Sequence, residues 1–288
     1  MYSANVDYYR ATSVADAVRM LRENQDARLL AGGHSLIPTM KLRVSQPPLL
    51  VDIGRIAELS GIQVDGDKVR IGALTTHAAV AASEEIKAAC PILHEAAQMI
   101  ADPLVRNRGT IGGNIANADP ASDYPTLIMA LGATLTVTGP DGEREVFADE
   151  CFKDLFTTVL RHEEVLTTIT FPAYGNVSGM GGAYLKHRHP ASSYAVVGVA
   201  VMLGVKDGKV TGPNVVVGGA TANPVHAKSV ESALVGLEPT QENLNAAAEQ
   251  LNIDATLGDA YASAEYRAHL AKVMAKRALM KAAERAMG

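Results

Sequence analysis

The chain has 288 residues, of which 48% are hydrophobic and 5% aromatic, with 31 acidic against 26 basic side chains and a formal net charge of -5. That length and apolar content can bury a sizeable core split among two or three compact units, and the acidic balance speaks against a nucleic-acid partner, whose phosphates ordinarily meet a basic surface. The longest uncharged run, residues 124–140, is broken by Pro125 and Gly132 and falls short of the ~20 apolar residues of a membrane span. Residues 1–7 show no export signal, and Cys90 and Cys151 are far apart, so a reducing cytoplasm is expected, with no iron–sulfur cluster in this chain. The histidine pair His187 and His189 lies beside Lys186 and Arg188, which would repel a metal ion, and reads as surface histidines; no metal site is expected.

From the N-terminus, Ser13 and Asp16 form a variant capping box ahead of Val14, Ala17, Val18 and Leu21 at helical spacing. The short apolar run 28–31 reads as a strand, and a loop, residues 30–37, follows it. In that loop Gly32, Gly33 and Ser35 can aim successive N–H groups and a hydroxyl at an anion. Residues 49–53 read as a second strand, making the first ~55 residues a β–α–β-like unit. Residues 62–71 alternate about an Asp65-Gly66 turn and predict a hairpin. Helices are expected over 76–82, 83–89 and 91–100, the last with Pro91 in its first turn.

The stretch 106–123, Arg-Asn-Arg-Gly-Thr-Ile-Gly-Gly-Asn-Ile-Ala-Asn-Ala-Asp-Pro-Ala-Ser-Asp, carries a second group of glycines. Without a Cβ, Gly109, Gly112 and Gly113 can adopt positive φ and bring N–H groups against a ligand, flanked by Thr110, Asn114, Asn117, Asp119, Ser122 and Asp123 as polar partners. An ordinary polar connection between two elements has the same composition. Two such loops together suggest a dinucleotide, although the chain contains neither a G-x-G-x-x-G nor a G-x-x-x-x-G-K-[ST] motif, which argues against a Rossmann unit or a P-loop. A helix near 122–131, a hairpin of 133–138 with 143–147, and a strand over 165–171 follow. After a linker at 174–182, strands are expected over 182–187, 195–205 and 210–218, the last two joined at Asp207-Gly208. Pro239-Thr240 opens a helix. The last helix, 263–287, turns Leu270, Val273, Met274 and Ala278 inward and carries Lys272, Lys276, Arg277, Lys281 and Arg285 as a solvated face or a partner-docking face. The pattern is α+β.

Taken together, Ala31-Gly-Gly-His-Ser-Leu-Ile-Pro-Thr-Met-Lys-Leu-Arg43 and the stretch 106–123 resemble the FAD-binding (medium) subunit of the molybdenum hydroxylases, the xanthine dehydrogenase family, and within it the aerobic carbon monoxide dehydrogenase branch. The resemblance implies a two-subdomain FAD-binding domain of the PCMH/vanillyl-alcohol-oxidase type, residues 1–57 and 58–174, followed by a C-terminal domain, 175–288, of a three-stranded antiparallel sheet with helices. It also implies that FAD is held by Leu30, Ala31, Gly32, Gly33, His34, Ser35, Leu36 and Ile37 around the diphosphate. Thr110, Ile111, Gly112, Gly113 and Asn114 would hold the other side of the diphosphate and the ribityl chain. Asp123 falls where adenosine-side hydroxyls are bound, with an N-cap of the following helix as its rival role, and Leu166 and Lys186 fall near the flavin ring. Ile100 stands where some relatives carry an aromatic stacking residue, and His34 where many carry Gln.

In that family no catalytic residue belongs to this subunit. Carbon monoxide, purines, aldehydes or N-heterocycles are oxidised at a molybdopterin cofactor in a large partner subunit, and a small partner carries two [2Fe-2S] clusters. The resemblance therefore implies an electron-transfer role through FAD to an external acceptor such as a quinone, in a dimer of heterotrimers able to associate peripherally with a membrane. A free-standing FAD oxidase or reductase of the same fold, or a flavin-free scaffold in which the loops are only turns, are the alternatives.

Overall fold

The computed structural model describes residues 2–254 and 256–288. Its first sheet is parallel, in the order β1-β3-β2, from β1 (Asp7–Arg10), β2 (Arg28–Leu30) and β3 (Leu49–Asp52). Helix α1 (Val14–Glu23) starts where the sequence places it, with the Ser13 hydroxyl accepting the Asp16 N–H at 3.1 Å. The capping box is shifted by one residue, because the Asp16 carboxylate accepts the N–H of Thr12 at 3.0 Å. Ala17, Val18 and Leu21 are its buried face. In this first unit two elements lie outside the sequence expectation. Strand β1 is short and largely exposed and exists through its pairing with β3, Asp7 opposite Leu49. The short helix α2 (Leu36–Lys41) follows the first glycine loop directly.

The second sheet has the order β4-β5-β10-β6-β7. It comprises β4 (Ile62–Asp65), β5 (Lys68–Gly72), β6 (Thr134–Gly139), β7 (Gly142–Phe147) and β10 (Val165–Pro172), and both expected hairpins form, with Gly66 at φ 59° and Gly142 at φ 105° in their turns. A small ribbon of β8 (Phe152–Asp154) and β9 (Thr157–Thr158) lies between β7 and β10. The helices are α3 (His77–Ala82), α4 (Glu84–Ala89), α5 (Pro91–Gln98), α6 (Pro103–Arg106), α7 (Ile111–Asn117), α8 (Asp123–Ala130) and α9 (Ala148–Cys151). Their starts follow local chemistry: Thr76 caps α3, Ser83 caps α4 and Pro91 begins α5. His162, in the loop before β10, reaches the C-terminal end of α1, with Nε2 3.1 Å from the Leu21 carbonyl and 3.0 Å from that of Asn24.

The third sheet is antiparallel, β11-β12-β13-β14, from β11 (Met180–Arg188), β12 (Ala195–Lys206), β13 (Lys209–Gly218) and the short β14 (Val225–His226), which adds a fourth strand to the three expected. Ten consecutive residues of β12 are buried because α12 (Ala264–Met287) packs on the sheet and α8 packs against β12 and β13. Helices α10 (Lys228–Leu234) and α11 (Gln241–Glu249) complete this part. The cationic run on α12 is largely engaged within the chain. Lys272 and Lys276 pair with Glu249 of α11, while Lys281 and Arg285 pair with Glu95 of α5 at 3.2 and 2.5 Å. Among the described residues no helix is long and apolar enough to cross a membrane.

A second tie between the second and third sheets centres on His226. Its Nε2 lies 3.1 Å from Asp149 of α9, and its Nδ1 lies 3.0 Å from Glu231 of α10, which also accepts the Val215 N–H at 2.9 Å. The bond to Glu231 raises the His226 pKa above its ordinary 6.5, with Asp149 adding to it. Burial alone would raise the Glu231 carboxyl, but the bonds from His226, the Val215 N–H and Lys228 outweigh it and bring it to about 2. A raised imidazole contributes its full stability below its unfolded value and loses it as pH rises through the folded value; the depressed carboxyl contributes above its unfolded value and fails only near its lowered one. The thermal midpoint should therefore fall as pH rises from about 6.5 through the raised His226 value. Calorimetry of His226→Gln should show that part of the slope removed.

Candidate functional site

The two glycine loops meet backbone to backbone. A Cβ on Gly32 would lie 2.7 Å from the Arg108 carbonyl carbon and 2.9 Å from the Gly109 Cα, so only glycine lets the first loop rest on the second. One on Gly109 would lie 2.6 Å from Nε2 of His77, and one on Gly112 would lie 2.7 Å from the Ala73 carbonyl oxygen. Gly33 is left-handed, at φ 75°. The expectation of positive φ at Gly109, Gly112 and Gly113 is not met: none is among the positive-φ residues, and their missing Cβ atoms serve close packing.

Where the N–H groups point divides the two loops further. The second is the capped start of α7: Ile111 N–H donates to Thr75 O at 3.0 Å, Gly112 to Ala73 O at 2.8 Å, Gly113 to Thr110 Oγ1 at 3.1 Å and Asn114 to Thr110 O at 3.0 Å. Its donors are already engaged, which corrects the reading of that stretch as an N–H cradle. In the first loop the N–H groups of Gly32, Gly33, His34, Ser35 and Leu36 find no acceptor among the described residues, and the chain bonds again only at Ile37, which donates to Gly33 O. Such a run of unpartnered donors calls for an acceptor from outside the chain, and the oxygens of a phosphate fit it. Leu30 and Ala31 lead into this run from β2, and Leu36 and Ile37 begin α2. His34 is exposed, with Nδ1 3.1 Å from the Gly32 carbonyl.

Behind the junction lies a buried polar group of which the sequence singled out only Asn114. His77 and Tyr124 face one another with ring centroids 5.3 Å apart, and His77 Nδ1, the Tyr124 hydroxyl and Asn114 Oδ1 are buried without a hydrogen-bond partner among the described residues. Burial, followed by the positive charge of Arg106 and the nearby His34, lowers the His77 pKa to about 4, so the imidazole is neutral at pH 7. Nothing in the sequence distinguishes His77 from any histidine at a helix start. Buried orphans are rare in folded proteins, and three of them around one loop fit a ligand-bearing region.

The remaining expected residues separate into two groups. Ile100 and Leu166 are buried, 7% and 6% exposed, and the Ile100 carbonyl accepts Arg106 Nη1 at 2.7 Å. Leu166 stands at a bulge in β10, opposite Val137. Asp123 is the first residue of α8, and the cap position belongs to Ser122, so the rival N-cap role is not taken. Its buried carboxylate accepts the Tyr184 hydroxyl at 2.5 Å and Lys186 Nζ at 2.8 Å. Burial raises the Asp123 pKa against the opposing pull of Lys186 and Tyr184. Asp123 and Lys186 thus satisfy one another.

Residues 4–174 match the family model described as the FAD binding domain in molybdopterin dehydrogenase, and residues 182–282 match that of the CO dehydrogenase flavoprotein C-terminal domain. The chain belongs to the FAD-binding medium subunits of the molybdenum hydroxylases. It is 40% identical to the carbon monoxide dehydrogenase medium chain of Afipia carboxidovorans over 99% of both chains. To the glyceraldehyde dehydrogenase medium chain of Sulfolobus acidocaldarius it is 35% identical, over 98% of this chain and 100% of that one. Its fold superposes on carbon monoxide dehydrogenase from Hydrogenophaga pseudoflava with a TM-score of 0.95 at 40% identity, covering 99% of each chain. As a medium subunit it is an FAD-binding part of an oxidoreductase complex, and the unpartnered N–H run of residues 32–36 suits the diphosphate of that cofactor.

Substitution at Gly33 should separate cofactor loss from simple strain. Gly33→Val forces a β-branched residue into a left-handed conformation, costing roughly 1–3 kcal/mol, and FAD affinity should fall by about tenfold or more. Gly66→Val meets the same kind of strain at φ 59° in an open hairpin turn and should lower the thermal midpoint while leaving FAD affinity unchanged. Flavin fluorescence titration of both variants measures the difference.

Proposed function

We propose that this chain is the electron-transfer subunit of a carbon monoxide dehydrogenase-like molybdenum hydroxylase, working in the cytoplasm. In this reading it carries FAD between a small subunit with two [2Fe-2S] clusters and an external acceptor such as a quinone, and a large subunit holds the molybdopterin cofactor. The complex is a dimer of heterotrimers that can meet a membrane peripherally, and residues 1–57, 58–174 and 175–288 are the chain's working units. The observation that carries the reading is the contact of the two glycine loops, beside which five successive N–H groups find no acceptor among the described residues. The whole-length likeness to carbon monoxide dehydrogenase medium chains supports the branch.

When bound, the flavin supplies a centre that accepts electrons singly or in pairs. The chain's residues bind and orient it. Residues 30–37 take the diphosphate, with the N–H groups of Gly32 to Leu36 as donors. Thr110, Ile111, Gly112, Gly113 and Asn114 form the opposing wall, in which Asn114 Oδ1 is still free to accept. Ile100 and Leu166 supply the apolar cover of the ring, and Asp123 and Lys186 the polar wall beside it. Burial pushes the thiols of Cys90 and Cys151 up to about 12, which keeps them protonated at neutral pH. The reading assigns substrate oxidation to the partner subunits.

Accordingly, the purified chain loaded with FAD should remain oxidised when offered CO, hypoxanthine, aldehydes or N-heterocycles with an artificial acceptor, and its flavin should be reduced once the partner subunits and CO are supplied. Rapid reduction of the flavin in the isolated chain would favour a free-standing FAD enzyme, and absence of flavin binding would leave only a scaffold.

A further inference from the structure

Arg106 opens the second glycine stretch, yet its side chain turns back over the segment before it. Residues 99–102 join α5 to α6, and among them Ala101 stands at φ 43°, a left-handed conformation that costs a residue with a Cβ energy and persists where its surroundings impose it. Arg106 Nη1, which carries two hydrogens, donates to the Ile100 carbonyl at 2.7 Å and to the Ala101 carbonyl at 3.2 Å. Those carbonyls belong to the peptide groups on either side of the Ala101 Cα, so fixing both fixes the two backbone torsions of that residue. The guanidinium is brought there by α6. The Asp102 carboxylate caps that helix by accepting the Val105 N–H at 3.0 Å, and the Arg106 N–H donates to the Asp102 carbonyl at 3.0 Å. On the other side of the turn α5 is ending, with Met99 N–H donating to Ala96 O at 3.0 Å, and the Ile100 side chain is buried.

We propose that Arg106 is a positioning residue: by holding the peptide groups on both sides of Ala101 it imposes the left-handed turn there, and the turn fixes where the Ile100 side chain stands. With Ile100 as cover of the flavin ring, Arg106 acts on the cofactor through Ile100 and without touching it. The contrasting arrangement, direct contact of Arg106 with a phosphate of FAD, makes the two residues independent. The effect on affinity rests on the FAD reading; the placement of Ile100 does not.

The test uses the full chain in two measurements. In the first, made without FAD, the isoleucine δ1 methyl groups are isotope-labelled and the Ile100 resonance is assigned by its loss in Ile100→Leu. Arg106→Met keeps an apolar stem and removes the donors; Arg106 is half-buried and lines an open cleft with Ala78 and Gln98, so its loss leaves no lone buried charge. The Ile100 resonance should move in this variant, while those of Ile53 and Ile253, which pack in the other two cores, stay in place. Ala101→Gly added to Arg106→Met removes the cost of the left-handed φ and should return the resonance towards its original position. Should Arg106→Met not fold, Arg106→Gln, whose side chain is too short to reach both carbonyls, should produce the same shift. In the second measurement, Arg106→Met and Ile100→Ala should each weaken FAD binding by about fivefold, and Arg106→Met added to Ile100→Ala should change it by less than about twofold. Should Ile100→Ala not fold, Ile100→Val takes its place in the same comparison. An unmoved Ile100 resonance, a resonance that Ala101→Gly leaves displaced, or losses that multiply in the double variant would overturn the proposal. If the unaltered chain binds no FAD, the cofactor reading fails, and the methyl measurement still decides whether Arg106 holds Ile100.

Discussion

The site depends on one steric fact, that the backbone at Gly32 lies against the backbone at Arg108 and Gly109 with no room for a Cβ. That contact brings the loop after β2, in the first sheet, onto the start of α7, which is carried by the second sheet. Other bonds hold the second loop in place to receive it: His77 N–H donates to Gly109 O at 2.9 Å, and Ile111 N–H to Thr75 O at 3.0 Å. A methyl group at Gly32 would open the junction whatever its effect on the rest of the fold.

The two loops share a composition but differ in their hydrogen bonds. Residues 110–114 satisfy their own donors by entering a capped helix, which makes that stretch a rigid wall. Among the described residues, the N–H groups of residues 32–36 find no acceptor, which suits that stretch to an anionic ligand. Beside the junction His77 is held neutral by burial and by the positive charge of Arg106, and Asp123 and Lys186 offset one another.

The C-terminal domain is built into the site as well as attached to it. Helix α8 starts at the end of the second loop and packs on β12 and β13, Glu95 of α5 receives Lys281 and Arg285 from α12, and His226 bridges Asp149 and Glu231. The basic side of α12, which as a sequence could be a docking face, is in large part an internal clamp. Charge complementarity with Glu95 and Glu249 decides this, and those partners lie far away in the chain or on another helix.

By itself the sequence determined most of the element boundaries, because Ser13, Thr76, Ser83, Pro91, Thr240 and Ser263 act on the residues next to them, and the Asp65-Gly66 and Asp207-Gly208 turns lie between alternating runs. It also determined the family, through two glycine stretches in a fixed order. Strand β1, the two-residue β14 and the short helices α2 and α6 were illegible, since each is too brief for periodicity and depends on a distant partner or on the loop it borders. Only the tertiary structure decided which loop has free donors, that Gly109 and Gly112 are packing residues, that His77, Tyr124 and Asn114 gather behind them, and that Asp123 bonds to Lys186. Each of these is a relation between residues brought together by packing, and a side chain's chemical type does not reveal which of its possible partners will reach it.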